Sequence, residues 1–416
     1  MQKKSLIVLF LTLYQFAFSQ IEKEVEPPFN IKTVSFTQNG ATIIPFFKLG
    51  ESFAFQFDDL YGNEADYYYT INQCNYDWSP SILAKSEYLK GVDNQRIMNY
   101  QNSYNTLQQY SHYSLSFPNR FNSIIKSGNY ILKIYNDEQE LVFSRKFIIY
   151  EDNLSIAMSV RRSRDFKTIN EKQNIELAIN YGDNVLQNPK QNVNIALFQN
   201  GNFKTSITKI KPQYTIGTEL IYRYNDETQF WGGNEFYTFD TSNIRITNNS
   251  VAMVTAGDIY NSLLYTNEAR KNKVYTYLPD FNGLFYVKNI GTIDNLDIES
   301  DYTWVYFSLS APDFFSKNNI YINGMFNNYA LNEENKMEYN QEKGLYEKAI
   351  LVKQGYVNYQ YVVANNSGKI DYENAIDGNF YLTENQYDVV VYYRGNNERY
   401  DRVIGKQRAN SENIRN

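Results

Sequence analysis

The chain has 416 residues but one cysteine, Cys74, and one histidine, His112. These two shortages remove most catalytic chemistry in advance. A Cys/His or Ser/His nucleophile pair, or a zinc site of cysteine and histidine ligands, needs residues that this chain hardly has. A lone cysteine forms no internal disulfide. Cys74 is expected to be buried and inert, because free cysteine packs as a small hydrophobe and no basic or histidine neighbour in sequence activates it. Proline is scarce, at nine residues, and the 20 glycines are scattered, which argues against low-complexity disorder. There is no Gly-rich phosphate loop. Positive charge is also short. The net charge of −6 gives no basic footprint for nucleic acid. An acidic chain is repelled by anionic lipid, so membrane association is expected through a protein partner and not by direct insertion.

Aromatic residues are plentiful, with 39 Tyr and 27 Phe. They suit a pleated, half-buried surface and lean the chain towards β structure. Phe53, Phe55 and Phe57 alternate with Ala54 and Gln56. Ile175, Leu177 and Ile179 repeat the pattern, as do Val193, Ile195 and Leu197. Turn signals such as Tyr61-Gly62-Asn63, Ser127-Gly128-Asn129 and Gly182-Asp183-Asn184 fall between such runs. The expected fold class is all-β, a tandem of immunoglobulin-like β-sandwich domains. The expected divisions are 1–19, 20–152, 153–300, 301–405 and a polar, disordered tail at 406–416. The first division reads as a signal peptide. Lys3 and Lys4 precede the apolar run Leu6–Phe18, and Ala17-Phe18-Ser19 places the cut before Gln20. That run is shorter than the roughly 20 residues a bilayer span needs.

No catalytic, cofactor or metal site is expected. Asp58 and Asp59 are adjacent, and neighbours on a strand point to opposite faces, so they cannot flank one bond. Asp371, Glu373 and Asp377 lie in a turn-rich stretch that solvation or calcium binding explains as well as catalysis does. An outer-membrane barrel fits poorly, because many strands carry polar residues on both faces. From Ile320 to Val363, the turn Gly324-Met325-Phe326-Asn327-Asn328-Tyr329 and the segment Gly355-Tyr356-Val357-Asn358-Tyr359-Gln360-Tyr361-Val362-Val363 are similar to the glycogen-binding modules of early-set immunoglobulin-like fold. That family places a sugar-stacking Trp where Tyr329 stands. Structural use of such a module outweighs sugar binding, since fold does not fix function.

Motifs spread over the chain carry a second resemblance. They are Cys74-Asn75-Tyr76-Asp77-Trp78, Glu87-Tyr88-Leu89-Lys90-Gly91, Ser103-Tyr104-Asn105-Thr106 and Tyr110-Ser111-His112-Tyr113. Further marks are Ser127-Gly128-Asn129-Tyr130, Gly232-Gly233-Asn234-Glu235-Phe236, Lys353-Gln354-Gly355-Tyr356, Tyr392-Tyr393-Arg394 and Arg399-Tyr400-Asp401-Arg402. In this order they resemble the plug protein family of the type IX secretion system. One departure is Tyr237, where a basic residue is expected. The resemblance implies a non-enzymatic periplasmic protein, peripheral to the outer membrane. It would dock on the periplasmic mouth of a giant outer-membrane β-barrel translocon and seal the idle pore. The alternative is an exported carbohydrate-binding protein acting through the glycogen-binding-like module. Candidate partner contacts are Trp78 with Tyr88, and the turn of Trp231, Gly232, Gly233 and Asn234. Cys74 and Asp77, with Asn105, Thr106, His112 and Tyr113, are expected to be structural, the last four as one polar cluster.

Overall fold

The computed structural model of the protein describes residues 21–182, 186–292, 294–314, 316–412 and 414. The expected signal peptide lies outside the described residues, as do Asp183 and Asn184 of one expected turn. Among the described residues, helices are single turns of three or four residues. No helix among the described residues is long and apolar enough to cross a membrane. The fold is all-β.

The first sandwich follows from phenylalanine alternation. One sheet runs in the order Ala41–Thr42, Ile31–Gln38, Phe53–Asp59, Ser111–Phe117, Asn99–Asn102. The facing sheet runs Phe46–Lys48, Leu141–Tyr150, Gly128–Tyr135, Tyr68–Cys74, Gln95–Arg96. Phe36, Phe47, Phe53, Phe55, Phe57, Phe143 and Phe147 interdigitate between them. Phe47 and Phe53 stack with centroids 3.7 Å apart. Such rings contribute packing beyond the area they bury.

The rest of the chain does not pass through two further sandwiches in line. The second sandwich begins at Ser155–Arg162, which pairs with Lys172–Asn180, and continues to Glu219–Tyr222 and Tyr214–Ile216. Its facing sheet is ordered Ile207–Ile210, Val193–Gln199, Gln386–Tyr393, Arg402–Asn410. Two strands therefore return from the C-terminal end to close it, and the expected borders at 300 and 405 do not coincide with the sheets. The third sandwich is inserted between the two parts of the second. Its sheets are built on Gly355–Ala364, paired with Tyr237–Asp240, Phe285–Val287 and Asn319–Asn323, and on the series Val251–Thr255, Asn261–Leu264, Tyr302–Ser310, Leu345–Lys353, Glu338–Asn340.

The physical reason for the return is hydrophobic cover. Val389, Val391 and Tyr393 point into the second core with Ile195 and Leu197. Val390 and Tyr392 point the other way, against Ile131, Ile148 and Phe46 of the first sandwich. A strand apolar on both faces needs packing on both sides, and this position supplies it. The expected polar tail is corrected for a related reason. Lys406–Asn410 is the second half of a strand, and both of its cations pair with buried Asp388. Lys406 Nζ lies 2.8 Å and Arg408 Nε 2.9 Å from Asp388 Oδ1.

Candidate functional site

Most of the motif residues gather at the three junctions where sandwiches meet. At the junction of the first and third, alternation turns Phe53, Phe55 and Phe57 inward and leaves Asp58 facing out. The register then sets His112 directly across from Asp58. His112 Nδ1 is 2.7 Å from Asp58 Oδ1. From the third sandwich, Lys353 Nζ donates to Asp58 Oδ2 at 2.7 Å and the Tyr302 hydroxyl donates to the same oxygen at 2.6 Å. Asp58 and Lys353 are both buried. Burial pushes the Asp58 carboxyl up, but Lys353 and His112 outweigh it and hold the group below the usual carboxylate range. Lys353 also sits 4.2 Å over the Tyr110 ring. Next to this pair, Asp301 accepts the Leu107 and Gln108 amides at 2.7 and 3.0 Å. The Ser103-Tyr104-Asn105-Thr106 loop is thereby seated on the third sandwich, with Asn105 in the left-handed conformation that asparagine tolerates.

At the junction of the first and second sandwiches, the Arg394 guanidinium donates to Asp401 at 3.0 and 2.8 Å and to Asn75 Oδ1 at 2.6 Å. Asp401 also accepts the Tyr76 amide at 2.9 Å. The Tyr392 hydroxyl donates to Asn129 Oδ1 at 2.8 Å. Ser127 Oγ donates to Glu151 at 2.7 Å and accepts the Val403 amide at 3.1 Å.

The turn from Trp231 to Phe236 makes the third junction. Gly232 faces the carbonyl of Phe380, and a Cβ there would stand 2.1 Å from that oxygen. Asn234 Nδ2 donates to the Asp377 carbonyl at 2.9 Å, and Gly232 accepts from Asn385 Nδ2 at 2.8 Å. Glu235 accepts the Tyr275 hydroxyl and, at 3.0 Å, the Glu384 amide. The basic residue expected at 237 is supplied from elsewhere. The Arg270 guanidinium lies 3.9 Å from the Tyr237 ring centre, and Tyr237 donates its hydroxyl to Asp377 at 3.0 Å.

These positions revise the sequence reading. Trp78 is 8% exposed and packs between the first and second sandwiches, with Lys146 Nζ 4.3 Å over its ring. Tyr88 is 4% exposed and donates to the Ile71 carbonyl at 3.3 Å. Gly232 and Asn234 are buried, and Trp231 lies between Lys172 and Tyr372. None of these expected partner contacts is a free surface: Trp78 and the Trp231–Asn234 turn fill seams between sandwiches, and Tyr88 lies in the core of the first. Nor do Asn105, Thr106, His112 and Tyr113 form one cluster. Strand alternation sends His112 to the junction and Tyr113 into the first core, where its hydroxyl donates to the Ala65 carbonyl at 2.7 Å. Asn105 is exposed in the loop. Cys74 is buried, and burial pushes its thiol up to about 12. Asp77 caps the Asn75–Ser79 turn by accepting the Ser79 amide and hydroxyl at 3.0 and 2.6 Å.

Tyr329 is buried as well, and its hydroxyl donates to the Asn200 carbonyl at 2.6 Å. It offers no stacking platform to a sugar. The cavity it lines with Trp231 and Tyr372 measures about 90 Å³ and has room for a few waters. Among the described residues, no group of three or more His, Cys, Asp or Glu is placed to hold a metal ion. Sequence reasoning weighed Asp58 as a carboxylate but missed its pairing with Lys353. The available signal was a lysine ending the apolar run Ala349-Ile350-Leu351-Val352.

Comparison with known proteins bears on this architecture. The family described as the first domain of the type 9 secretion system plug protein matches residues 31–151, which is the span of the first sandwich. A crystal structure of a hypothetical protein from Parabacteroides merdae superposes with a TM-score of 0.87 at 30% identity, covering 93% of this chain and 98% of that one. No curated protein matches. The first sandwich carries the family's match and the motif residues lock it to the other two, and on these grounds the chain belongs to the type IX secretion system plug protein family.

Proposed function

We propose that the protein is a non-enzymatic periplasmic plug. It docks on the periplasmic mouth of the giant outer-membrane β-barrel translocon of type IX secretion and seals the pore when no cargo passes. The observation that carries this reading is the family match on the first sandwich. Its physical support is the way the sandwiches are joined. A pore wide enough for folded cargo leaks unless a stiff body fills one end. Three sandwiches joined by the buried Asp58–Lys353 ion pair, by the hydrogen bonds of Arg394 and Asp401 with Asn75 and Tyr76, and by a two-sided strand resist bending at their seams. The basic and then apolar opening, Lys3 to Phe18, supports export. Release follows if the resting barrel binds the plug better than the cargo-loaded barrel does, since only differential affinity shifts such an equilibrium. The carbohydrate alternative loses support, because Tyr329 is buried in a junction.

The test is an affinity pull-down of the tagged protein from detergent-solubilised outer membranes, read by mass spectrometry. Recovery of one giant β-barrel supports the reading. Recovery of no barrel, with retention on a polysaccharide column, overturns it.

A further inference from the structure

One sheet of the third sandwich is left half covered. In Tyr302–Ser310, Val305, Phe307 and Leu309 enter the core, so Trp304 and Tyr306 lie on the opposite face. At one end that face is closed by the first sandwich, through Tyr302, Leu351 and Tyr110. The cover stops where Phe29 stacks on Trp304, with centroids 6.5 Å apart. Beyond that point the pairing register lines up Met253, Leu263, Tyr306 and Ala349 in one row across four strands. Met253 is 49% and Tyr306 42% exposed. Strands Val251–Thr255, Asn261–Leu264 and Tyr302–Ser310 contain no charged residue, in a chain where 21% are charged. Val251–Thr255 is also the end strand of its sheet; among the described residues no strand pairs with its outer edge, and Asn248 bonds the Val251 N–H and C=O at 3.0 and 3.1 Å. Natural sheets blunt an open edge with charge or proline. This edge has neither; the Asn248 turn closes its start at Val251, and a register shift between Val251 and Met253 precedes the open part.

We propose that this edge and the row beside it dock an extended segment of the translocon, which adds as a further strand to Val251–Thr255. The proposal rests on the plug reading and names the face that reading leaves open. Strand addition satisfies the edge by main-chain hydrogen bonds, and alternate side chains of the incoming segment meet Met253, Leu263 and Tyr306. Tyr and Met are enriched at such interfaces and charged residues depleted at their centres. The row runs on from the seam already closed by the first sandwich, so one partner seated there touches both sandwiches. A second copy of the chain fits less well. A two-fold self-pair would carry the register shift in both strands of the new ladder, whereas a foreign strand meets it once.

The test places a photo-crosslinking benzoylphenylalanine at Met253, Tyr306 or, as a control on another exposed edge, Tyr214, in the full chain in cells. Two further variants, Met253→Lys and Tyr306→Glu, are scored for thermal melting and for barrel co-purification. The expected result is crosslinking to the outer-membrane barrel from 253 and 306 but not from 214. Each charged variant should melt as wild type does and recover about tenfold less barrel, the loss expected for a central interface residue. If wild type recovers the barrel, but the charged variants do so equally and crosslinks come only from 214, this face is wrong and the plug reading stands. Crosslinks between two copies of the chain overturn the proposal in favour of self-association. If wild type itself recovers no barrel, the plug reading fails and takes the proposal with it.

Discussion

Asp58 and Asp59 are adjacent in sequence and face opposite ways. Asp59 accepts the Tyr67 hydroxyl at 2.9 Å inside the first sandwich, while Asp58 meets Lys353 across a junction. Removing one partner of a buried pair leaves an uncompensated charge. Asp58→Ala is therefore expected to lose about 3–5 kcal/mol in urea unfolding, and Asp58→Ala with Lys353→Met to lose less than Asp58→Ala alone. The Asp58 carboxyl is held below its ordinary value of 3.8, so its contribution is present above that value and lost as pH falls beneath it. Asp280 has the opposite sign. Burial pushes its carboxyl up to about 7, against the opposing bonds from the Asn282 and Phe236 amides. Its contribution is full below about pH 4 and declines as pH rises towards 7. Wild-type Tm minus that of Asp280→Asn should therefore become more negative across that window; a flat difference contradicts the assignment. The opposed faces of the Asp58-Asp59 pair were legible from strand alternation. The partner of Asp58 was not, because Lys353 is nearly 300 residues away and no local pattern links them.

Strands that bury one face announced themselves. Phe53–Asp59 and Lys172–Asn180 alternate as expected and form strands. Strands buried on both faces, such as Gln386–Tyr393, read as apolar runs with no indication of what covers them. This is why the division of the chain after 153 was misread: the ladder between Val193–Gln199 and Gln386–Tyr393 leaves no mark on the intervening sequence. The inserted arrangement makes a prediction at this scale. A chain stopped after Thr383 loses two of the four strands in one sheet of the second sandwich. Limited proteolysis should then cut rapidly between 155 and 231, where the full chain is protected. Protection there equal to that of the full chain contradicts the closure. The Trp231–Asn234 turn teaches a related lesson. Its glycines signalled a tight turn, but only the approach of the Phe380 carbonyl to Gly232 explains why a side chain is excluded there.

On the scale of the whole molecule, the family motifs lie mostly at the seams between sandwiches. They tie three sandwiches into one body. Asn75, Asn129, Arg394 and Asp401 close one seam, Asp58, His112 and Lys353 the second, and Gly232 to Glu235 the third. That accounts for aromatics and amides that looked like contact surface in the sequence and turn out to be internal. It also moves the search for the outer contact to a face that carries no conspicuous motif, the charge-free strands of the third sandwich. A body joined in this way is what the proposed plug role requires. The most direct measurement is the entry of a large, normally excluded antibiotic into cells that lack the protein and retain the barrel. If the protein is the plug, uptake rises in those cells and returns to normal with the wild-type chain. Uptake unchanged in the deletion strain, with the barrel present and open, contradicts a sealing role.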